Sequence, residues 1–343
     1  MSFVEQSAAA QAAFASLSQA ARQHDLQRSI ADLDGGFVSK SPRGKGVYWY
    51  YQYKLPGGKP QQIYIGPDDE ATHALMAAHK DPKAKSARAH LAKLCEVAEV
   101  LGCYSVIPKH ARVLSRIADH GWFRAGGVLV GTHAYLGYQN RLGILWQSGA
   151  MTLDLDFAHP GKNVSVAINA DLQIDTHAAV DSLKMGFLPV NNGTRYIKEN
   201  EPDFDLDFLT CTHRGGDAPV HSHQLNVGLQ PLKFLEFSMQ DPVLSVLVAG
   251  AGPIVVNIPR PERYALGKLI LYRERLAGKQ PEKAEKDLMQ SASLIEYFVQ
   301  RDPEPLQAAW EDLWGRGPGW KARAREGLDA LHSRYPAIDF SPL

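Results

Sequence analysis

The sequence predicts an α+β protein in which a mixed β-sheet is flanked by helices. Short β-type runs separated by glycine and proline concentrate in the middle of the 343-residue chain, and helical patterns dominate on either side of it. Apolar residues make up 45% of the chain and charged residues 22%, as in globular proteins with a substantial core. We therefore divide the chain into an N-terminal region (1–107), a core (108–260) and a C-terminal helical region (261–343).

The N-terminal region is predicted to combine helices with a β-hairpin. Residues 2–33 contain no proline or glycine, which favours one helix that ends at Gly35-Gly36. The runs VYWYYQYKL and KPQQIYIG flank Pro56-Gly57-Gly58, which predicts a hairpin over residues 46–66. Two further helices are predicted, over residues 68–80 and 82–101.

The core is predicted to alternate helices and strands, and the C-terminal region to be helical. Core helices are predicted at 108–120 and 132–139, and strands at 128–130, 151–158, 163–168, 186–190, 204–210, 233–238 and 254–258. Arg195, Tyr196 and Lys198 are expected in a loop over the pocket. The C-terminal helices are predicted at 261–276, 281–300, 303–315 and 321–333.

Charge and cysteine content exclude several protein classes. Lysine plus arginine number 37 and aspartate plus glutamate 37, so the chain resembles neither a histone nor a polybasic membrane anchor. Three cysteines cannot form a disulfide framework, and the N-terminus lacks the basic segment of a secretory signal. No apolar run is long enough to cross a membrane. We expect a cytoplasmic protein without a membrane partner; its oligomeric state stays open.

Two Asp-x-Asp motifs are the strongest chemical signal. Asp154 and Asp156 alternate with apolar residues in TLDLDFA, so a strand would place both carboxylates on one face. Like charges this close are unfavourable unless a cation lies between them, and Mg²⁺ prefers carboxylate oxygens. Asp205 and Asp207 in DFDLDFLT offer a third carboxylate on another strand. The alternative is that each motif lies on a solvated outer face.

The segment before the first motif suggests an anion-binding turn. The apolar run Val128–Val130 leads into Gly131-Thr132 and then a helix. Glycine allows the backbone to approach a phosphate closely, and a threonine hydroxyl at a helix N-terminus can donate to it. Arg141, after the helix, could also contact phosphate. The alternative is an ordinary strand-to-helix turn.

Together these segments resemble the nucleotidyltransferase superfamily related to DNA polymerase β. The shared pattern is an apolar strand, a Gly-Thr turn, a helix, Asp-x-Asp on the next strand and a later aspartate. It continues with GPIVVNIPRPERYALGKLILYRER and then Lys286-Asp287. The resemblance is to the minimal bacterial members, which include abortive-infection and toxin-type enzymes. It covers roughly residues 108–300. The Gly-Thr turn and the long connection from Arg141 to Thr152 depart from the commonest family pattern.

The resemblance implies a Mg²⁺-dependent enzyme that transfers a nucleotidyl group from a nucleoside triphosphate (NTP) such as ATP and releases pyrophosphate. It implies that Asp154, Asp156 and Asp207 are ligands of two Mg²⁺ ions, with Asp205 as the alternative to Asp207. It also places Lys268 on a helix near the nucleotide, although a surface cation is the alternative there.

The acceptor is expected to be an RNA 3′ end, such as that of tRNA, or a protein hydroxyl. The hairpin over 46–66 favours RNA, because its aromatic residues could stack on bases while Lys54 and Lys59 contact phosphates. The alternative is that its aromatics only pack against neighbouring helices. Two other functions stay open: a nucleic-acid-binding regulator with an inactive transferase fold, and a metal-dependent hydrolase.

Overall fold

The computed structural model describes residues 2–27, 35–41, 46–54, 60–70, 72–73, 76, 83–147, 153–161, 173–212, 216–341 and 343. The helices are α1 (Ala8–Gln27), α2 (Lys83–Val100), α3 (Pro108–Asp119), α4 (Gly131–Leu142), α5 (Thr176–Ser182), α6 (Leu235–Ser238), α7 (Pro261–Ala277), α8 (Pro281–Arg301), α9 (Glu304–Gly315) and α10 (Pro318–Arg334). The strands are β1 (Phe3–Glu5), β2 (Gly35–Lys40), β3 (Tyr48–Lys54), β4 (Pro60–Pro67), β5 (Val128–Leu129), β6 (Ile144–Trp146), β7 (Leu155–His159), β8 (Phe187–Val190), β9 (Arg195–Lys198), β10 (Leu206–Cys211), β11 (Val220–Ser222), β12 (Val227–Leu232), β13 (Val243–Leu247) and β14 (Ile254–Ile258).

A mixed sheet forms the centre of the molecule. Its main order is β11-β12-β10-β7-β5, and β8 and β9 extend it beside β10. Strands β7, β10 and β12 are parallel, whereas β5, β9 and β11 run antiparallel to their neighbours. One edge of β10 is shared: its first residues pair with β9 and its last with β12. The predicted α+β class with a mixed sheet is therefore confirmed.

Buried side chains fix the orientation of β7 and β10. Leu155 and Phe157 on β7, and Leu206 and Phe208 on β10, are fully buried. The rings of Phe157 and Phe208 stack with centroids 5.3 Å apart, and Trp122 packs edge-on against Phe208. Burying each phenylalanine contributes about 1.5–3 kcal/mol. Because strand side chains alternate, the aspartates between these residues must point to the opposite face.

The N-terminal segment packs onto the core. Strand β1 pairs with β6, and the backbone N–H of Ser2 donates to Glu296 on α8 at 2.8 Å. Phe14 and Leu17 of α1 pack with Cys95 of α2 and Val246 of β13. Strands β2, β3 and β4 form a separate antiparallel sheet.

Two expectations for the N-terminal region are wrong. Residues 2–33 do not form one helix, because Phe3–Glu5 pair with β6 and α1 begins only at Ala8, where the Ala10 N–H donates to Ser7 Oγ at 3.1 Å. Gly35-Gly36 starts β2 rather than ending a helix, so the predicted hairpin is part of a three-stranded sheet.

In the core, residues 233–238 are not a strand. The true strand, β12, ends at Leu232, and Phe234 adopts φ +67° before α6. Strands β6, β9, β11 and β13 were not predicted, because runs of three to five residues carry little periodicity. The predicted strand at 163–168 lies outside the described residues, as does part of the predicted helix at 68–80.

The four predicted C-terminal helices are present as α7 to α10, with the last beginning at Pro318 rather than at residue 321. Within the described part of the chain, none of the helices combines the length and the apolar character needed to cross a bilayer.

Candidate active site

The two Asp-x-Asp motifs lie side by side at the start of parallel strands. The register pairs Asp156 of β7 directly with Asp207 of β10. Neighbouring strands are about 4.8 Å apart, so these two carboxylates leave the same face of the sheet next to each other. Asp154 and Asp205 each lie two residues earlier, one residue before their strands. The sequence therefore brings four carboxylates to one edge of the sheet.

Gly131 lies against this carboxylate group. It follows β5, adopts φ +62° and begins α4, while the N–H of Val130 donates to the Asp156 carbonyl oxygen at 3.0 Å. A Cβ at position 131 would lie 1.9 Å from Asp156 Oδ2. The turn therefore requires glycine, and the space left by its missing side chain is filled by the Asp156 carboxylate.

Burial and mutual repulsion change the ionisation of the carboxylates. Burial, and then the charges of Asp154 and Asp207, raise the pKa of Asp156 to about 7. Burial, and then the charge of Asp205, raise the pKa of Asp207 to about 6. Each of these groups would be more stable beside a positive charge, so the cluster electrostatically favours a cation.

Arg195 distinguishes the two carboxylates of β10. It lies on β9 directly opposite Asp207, not in a loop as expected. Its guanidinium donates to the buried Asp205, and its Nε lies 3.6 Å from Asp207 Oδ1. Because the ion pair occupies Asp205 first, Asp207 is the carboxylate of this strand with more freedom to contact a ligand.

Cations from the C-terminal helices surround the cluster. Lys268 on α7 forms an ion pair with Asp287 on α8, and Arg275 Nε lies 3.5 Å from Asp287 Oδ2. The charges of Lys268 and Arg275 lower the pKa of Asp156 against the effect of burial. Lys268 is therefore held by Asp287 within electrostatic range of Asp156, and its role at a nucleotide stays a prediction.

Lys283 and Lys286 on α8 lie near the carboxylates; the family resemblance included Lys286 without giving it a role, and sequence reasoning missed Lys283. Burial lowers the pKa of Lys286, and the nearby charges of Asp154 and Asp156 oppose that shift. The positive charge of Lys283 lowers the pKa of Asp207. For Lys283 the sequence signal was its position at the start of a C-terminal helix.

Thr132 lies in the first turn of α4 as expected, and its phosphate role stays a prediction, whereas Arg141 lies at the other end of that helix. The Thr132 hydroxyl is buried and lies 3.3 Å from Gln290 Nε2, so it contacts α8. Arg141 is ten residues after Gly131 on the same helix, which separates it from the carboxylates by about 15 Å. Its guanidinium instead donates to the Leu244 carbonyl oxygen at 3.2 Å. Arg141 therefore does not belong to the carboxylate site.

A buried histidine pair lies behind the site and was also missed. His133 Nε2 and His110 Nδ1 are 2.8 Å apart. Burial lowers the pKa of His110 to about 4 and that of His133 to about 3, so both rings are neutral at pH 7. The charge of Asp154 opposes this shift at His110, which shows that the pair adjoins the cluster.

The site offers oxygen ligands for a metal ion. Carboxylate oxygens and mutual repulsion suit a hard divalent cation such as Mg²⁺. Across the described residues, however, no three His, Cys, Asp or Glu side chains are arranged closely enough to hold an ion as they stand. The chemistry of the ligands therefore fits Mg²⁺, while closure around an ion would require their carboxylates to rotate inward.

Comparison with known families gives a match over the part of the chain that contains these residues. A family model described as "Nucleotidyltransferase" matches residues 108–315. The match includes both Asp-x-Asp motifs, the Gly131 turn and helices α7 to α9. No curated protein and no solved structure matches the chain.

Proposed function

The chain belongs to this nucleotidyltransferase family, and we propose that it transfers a nucleotidyl group from an NTP to an acceptor hydroxyl, with release of pyrophosphate. The observation that carries the proposal is the register pairing of Asp156 with Asp207 on buried parallel strands. It gives two rigid carboxylates at one sheet edge, with a glycine turn and several cations beside them. Nucleotidyl transfer needs such a centre, since its substrate carries several negative charges.

In this proposal Asp154, Asp156 and Asp207 hold two Mg²⁺ ions. When bound, the metal supplies charge neutralisation to the triphosphate and lowers the pKa of the acceptor hydroxyl. The packing of Phe157 and Phe208 fixes the backbones of the two carboxylate strands, so that only side-chain rotation would be needed to bring the ligands around an ion. We assign Asp207 as the third ligand, because Arg195 binds Asp205 more closely.

Proton transfer and phosphate binding use other groups of the chain. We propose that Asp207 also accepts the proton of the acceptor hydroxyl, since its pairing with Asp156 places it beside the point where a bound metal would activate that hydroxyl. Lys268, Lys283 and Lys286 give positive charge on the helix side of the carboxylates, where phosphate oxygens could contact it.

We propose an RNA acceptor, for which the sheet of β2, β3 and β4 gives support. Trp49 and Tyr50 on β3 are each partly exposed. The Trp49 indole N–H donates to Asp68 at 2.7 Å, and Lys40 Nζ lies 5.3 Å from the Tyr50 ring centroid. A partly exposed aromatic ring beside a cation, as at Tyr50, is a feature on which an unpaired base can stack. A protein hydroxyl is the other candidate acceptor.

The test is transfer of label from nucleotide to acceptor. Purified protein is incubated with Mg²⁺ and each α-labelled NTP, together with total RNA including tRNA, or with cell extract. We expect one NTP to label RNA, and both Asp156→Asn and Asp154→Asn to abolish labelling because each removes a carboxylate charge at almost constant volume. Asp329→Asn is the matched control, since Asp329 is exposed on α10, and should leave labelling unchanged.

Other outcomes would select other functions. Release of free nucleotide without a labelled acceptor would indicate a hydrolase. RNA binding without any labelling or nucleotide release would indicate a regulator with an inactive transferase fold. Labelled protein in place of RNA would identify a protein acceptor, and growth arrest on expression that depends on Asp156 would support a toxin or defence role.

A further inference from the structure

A second cavity lies at the opposite end of α4 from the carboxylates. It has a volume of about 1070 Å³ and is bounded by α1, the end of α4, β13, the start of α7 and the end of α8. Arg141 lines it, so the helix separates it from Gly131 by about 15 Å. The cavity is therefore distinct from the proposed active site.

The cavity carries excess positive charge. Its charged lining residues are Arg22, Arg141, Arg260, Arg301, Glu262 and Asp302. Arg301 is already paired with Glu5, which does not line the cavity. Arg260 and Glu262 are only loosely paired, because Arg260 Nη1 lies 4.0 Å from Glu262 Oε1. Among the described residues, neither Arg22 nor Arg141 forms an ion pair with a carboxylate.

Arg22 and Arg141 are held next to each other. Both guanidinium groups donate to the same acceptor, the carbonyl oxygen of Leu244, at 3.0 and 3.2 Å. Burial, and then the charge of Arg22, lower the pKa of Arg141, and Arg260 adds to this effect. Arg22 Nε is buried and has no hydrogen-bond partner among the described residues. Two adjacent guanidinium groups with unused donors form a strong, directional binding site for an anion.

The remaining wall of the cavity is apolar. Phe14, Leu142, Val243 and Phe298 line it beside the arginines. Concave sites with an apolar wall and a few convergent polar groups bind small organic molecules. A bare anion would leave this wall without a contact, whereas a phosphate ester with an apolar or ring-shaped body would use both surfaces.

We propose that this cavity binds a small phosphorylated molecule, with its phosphate between Arg22 and Arg141 and its organic part against the apolar wall. The apolar wall, together with the acidic lining residues Glu262 and Asp302, favours a small phosphate ester over a nucleic-acid strand that carries many phosphates. The phosphate would use the unpaired guanidinium donors and relieve their repulsion. This binding is independent of the transfer reaction, because the cavity lies at the far end of α4 from the carboxylate cluster.

The test measures binding to the full chain by isothermal titration calorimetry in EDTA, which leaves the carboxylate site without metal. The probes are AMP, pyrophosphate and adenosine. We expect AMP to bind, and adenosine to bind at least tenfold more weakly because it lacks the phosphate. Arg22→Gln and Arg141→Gln should each lower AMP affinity by about tenfold or more, because each removes charged hydrogen-bond donors.

A matched control separates site-specific effects from the loss of any positive charge. Arg325 is exposed on α10 and lies outside the cavity, so Arg325→Gln should leave AMP affinity unchanged. If Arg141→Gln does not fold, Arg260→Gln replaces it, because the Arg260 side chain is 47% exposed. Rising salt should weaken AMP binding to the wild-type protein more than to the Arg22→Gln variant.

Three results would overturn the proposal. One is the absence of AMP and pyrophosphate binding at millimolar concentration. The second is equal AMP affinity in the wild-type protein and both cavity variants. If these variants also unfold at a lower temperature, the two arginines serve only to hold the Leu244 backbone. The third is binding of a 5′-phosphorylated oligoribonucleotide without binding of AMP, which would assign the cavity to RNA.

Discussion

Gly131 shows how closely a backbone position can depend on a neighbouring side chain. A side chain there would meet two obstacles, a positive φ and the Asp156 carboxylate at 1.9 Å. The sequence suggested that glycine admits a phosphate to the turn, whereas in the structure it admits a carboxylate. The phosphate role of Gly131 stays a prediction.

We expect Gly131→Ala to destabilise the protein more than Gly186→Ala. Gly186 also has a positive φ, but a Cβ there would meet nothing within 4 Å, so it isolates the backbone cost of about 1–2 kcal/mol. The clash with Asp156 should add about 1–3 kcal/mol at position 131. Urea denaturation of the two variants measures the difference, and equal losses would show that the carboxylate moves away without cost.

Asp156 should also make metal-free stability depend on pH. Its pKa in the folded protein is about 7, above the usual value of about 3.9 for an unfolded chain. Between these values the folded state binds more protons, so this contribution falls as pH rises through the interval. In EDTA, we expect the free energy of unfolding of the wild type to fall between about pH 5 and pH 8, and that of Asp156→Asn to fall less. The control variant Asp329→Asn should behave like the wild type.

At the scale of elements, the pairing of β9 with β10 carries information that the sequence did not reveal. Asp-x-Asp alternation predicted which residues of β10 share a face, because that depends only on the period of a strand. Which of Asp205 and Asp207 is bound more closely depends on Arg195. The position of Arg195 opposite Asp207 arises from the register of a four-residue strand. The prediction that Arg141 contacts a phosphate at the Gly131 turn was wrong for a related reason. Ten residues of helix separate Arg141 from that turn.

We expect Arg195→Gln to destabilise the protein by about 1–3 kcal/mol, because it leaves Asp205 buried and unpaired. The loss is at the lower end for a buried pair, since the Arg195 side chain is 43% exposed. Adding Asp205→Asn to this variant should recover most of the stability. A double-mutant cycle by urea denaturation measures the coupling, and strictly additive losses would mean that the pair does not interact.

The sheet of β2, β3 and β4 supports a prediction about acceptor binding. Lys54→Ala with Lys59→Ala should weaken RNA binding most at low salt, and the salt slope should fall by about one for each phosphate that is no longer neutralised. Lys59 lies outside the described residues. Lys93→Ala on α2 is the control, and NTP binding should not change in either variant. Unchanged RNA affinity at low and physiological salt would leave the aromatic residues a packing role.

At the scale of the whole molecule, the fold class and the carboxylate strands were predictable, whereas the assembly around them was not. The periodicity of apolar residues in the sequence predicts the Asp-x-Asp strands and the C-terminal helices. The lysines of α8 and the histidine pair reach the site from distant parts of the chain, and only tertiary packing shows this. Arg22 and Arg141 likewise meet at one carbonyl oxygen although they are more than a hundred residues apart.

Metal binding should stabilise the whole protein if the carboxylates hold Mg²⁺. At about pH 8, a Mg²⁺ concentration of about one hundred times Kd would add about 2.7 kcal/mol, because a ligand bound only by the folded state shifts the unfolding equilibrium. Thermal unfolding with and without Mg²⁺ measures the effect. It should vanish in Asp156→Asn and persist in Asp329→Asn; equal stabilisation of both variants would place the ion elsewhere.

The shared use of β7 and β10 by the core and the carboxylates has an evolutionary consequence. Deleting one residue from either strand would turn its aspartates toward the interior and its phenylalanine toward solvent, which would damage packing and chemistry in one step. Point substitutions at these positions can be compensated by neighbours, but a change of length cannot. Lineages descended from this protein should therefore accumulate insertions and deletions between its strands, while the spacing within Leu155–His159 and Leu206–Cys211 stays constant.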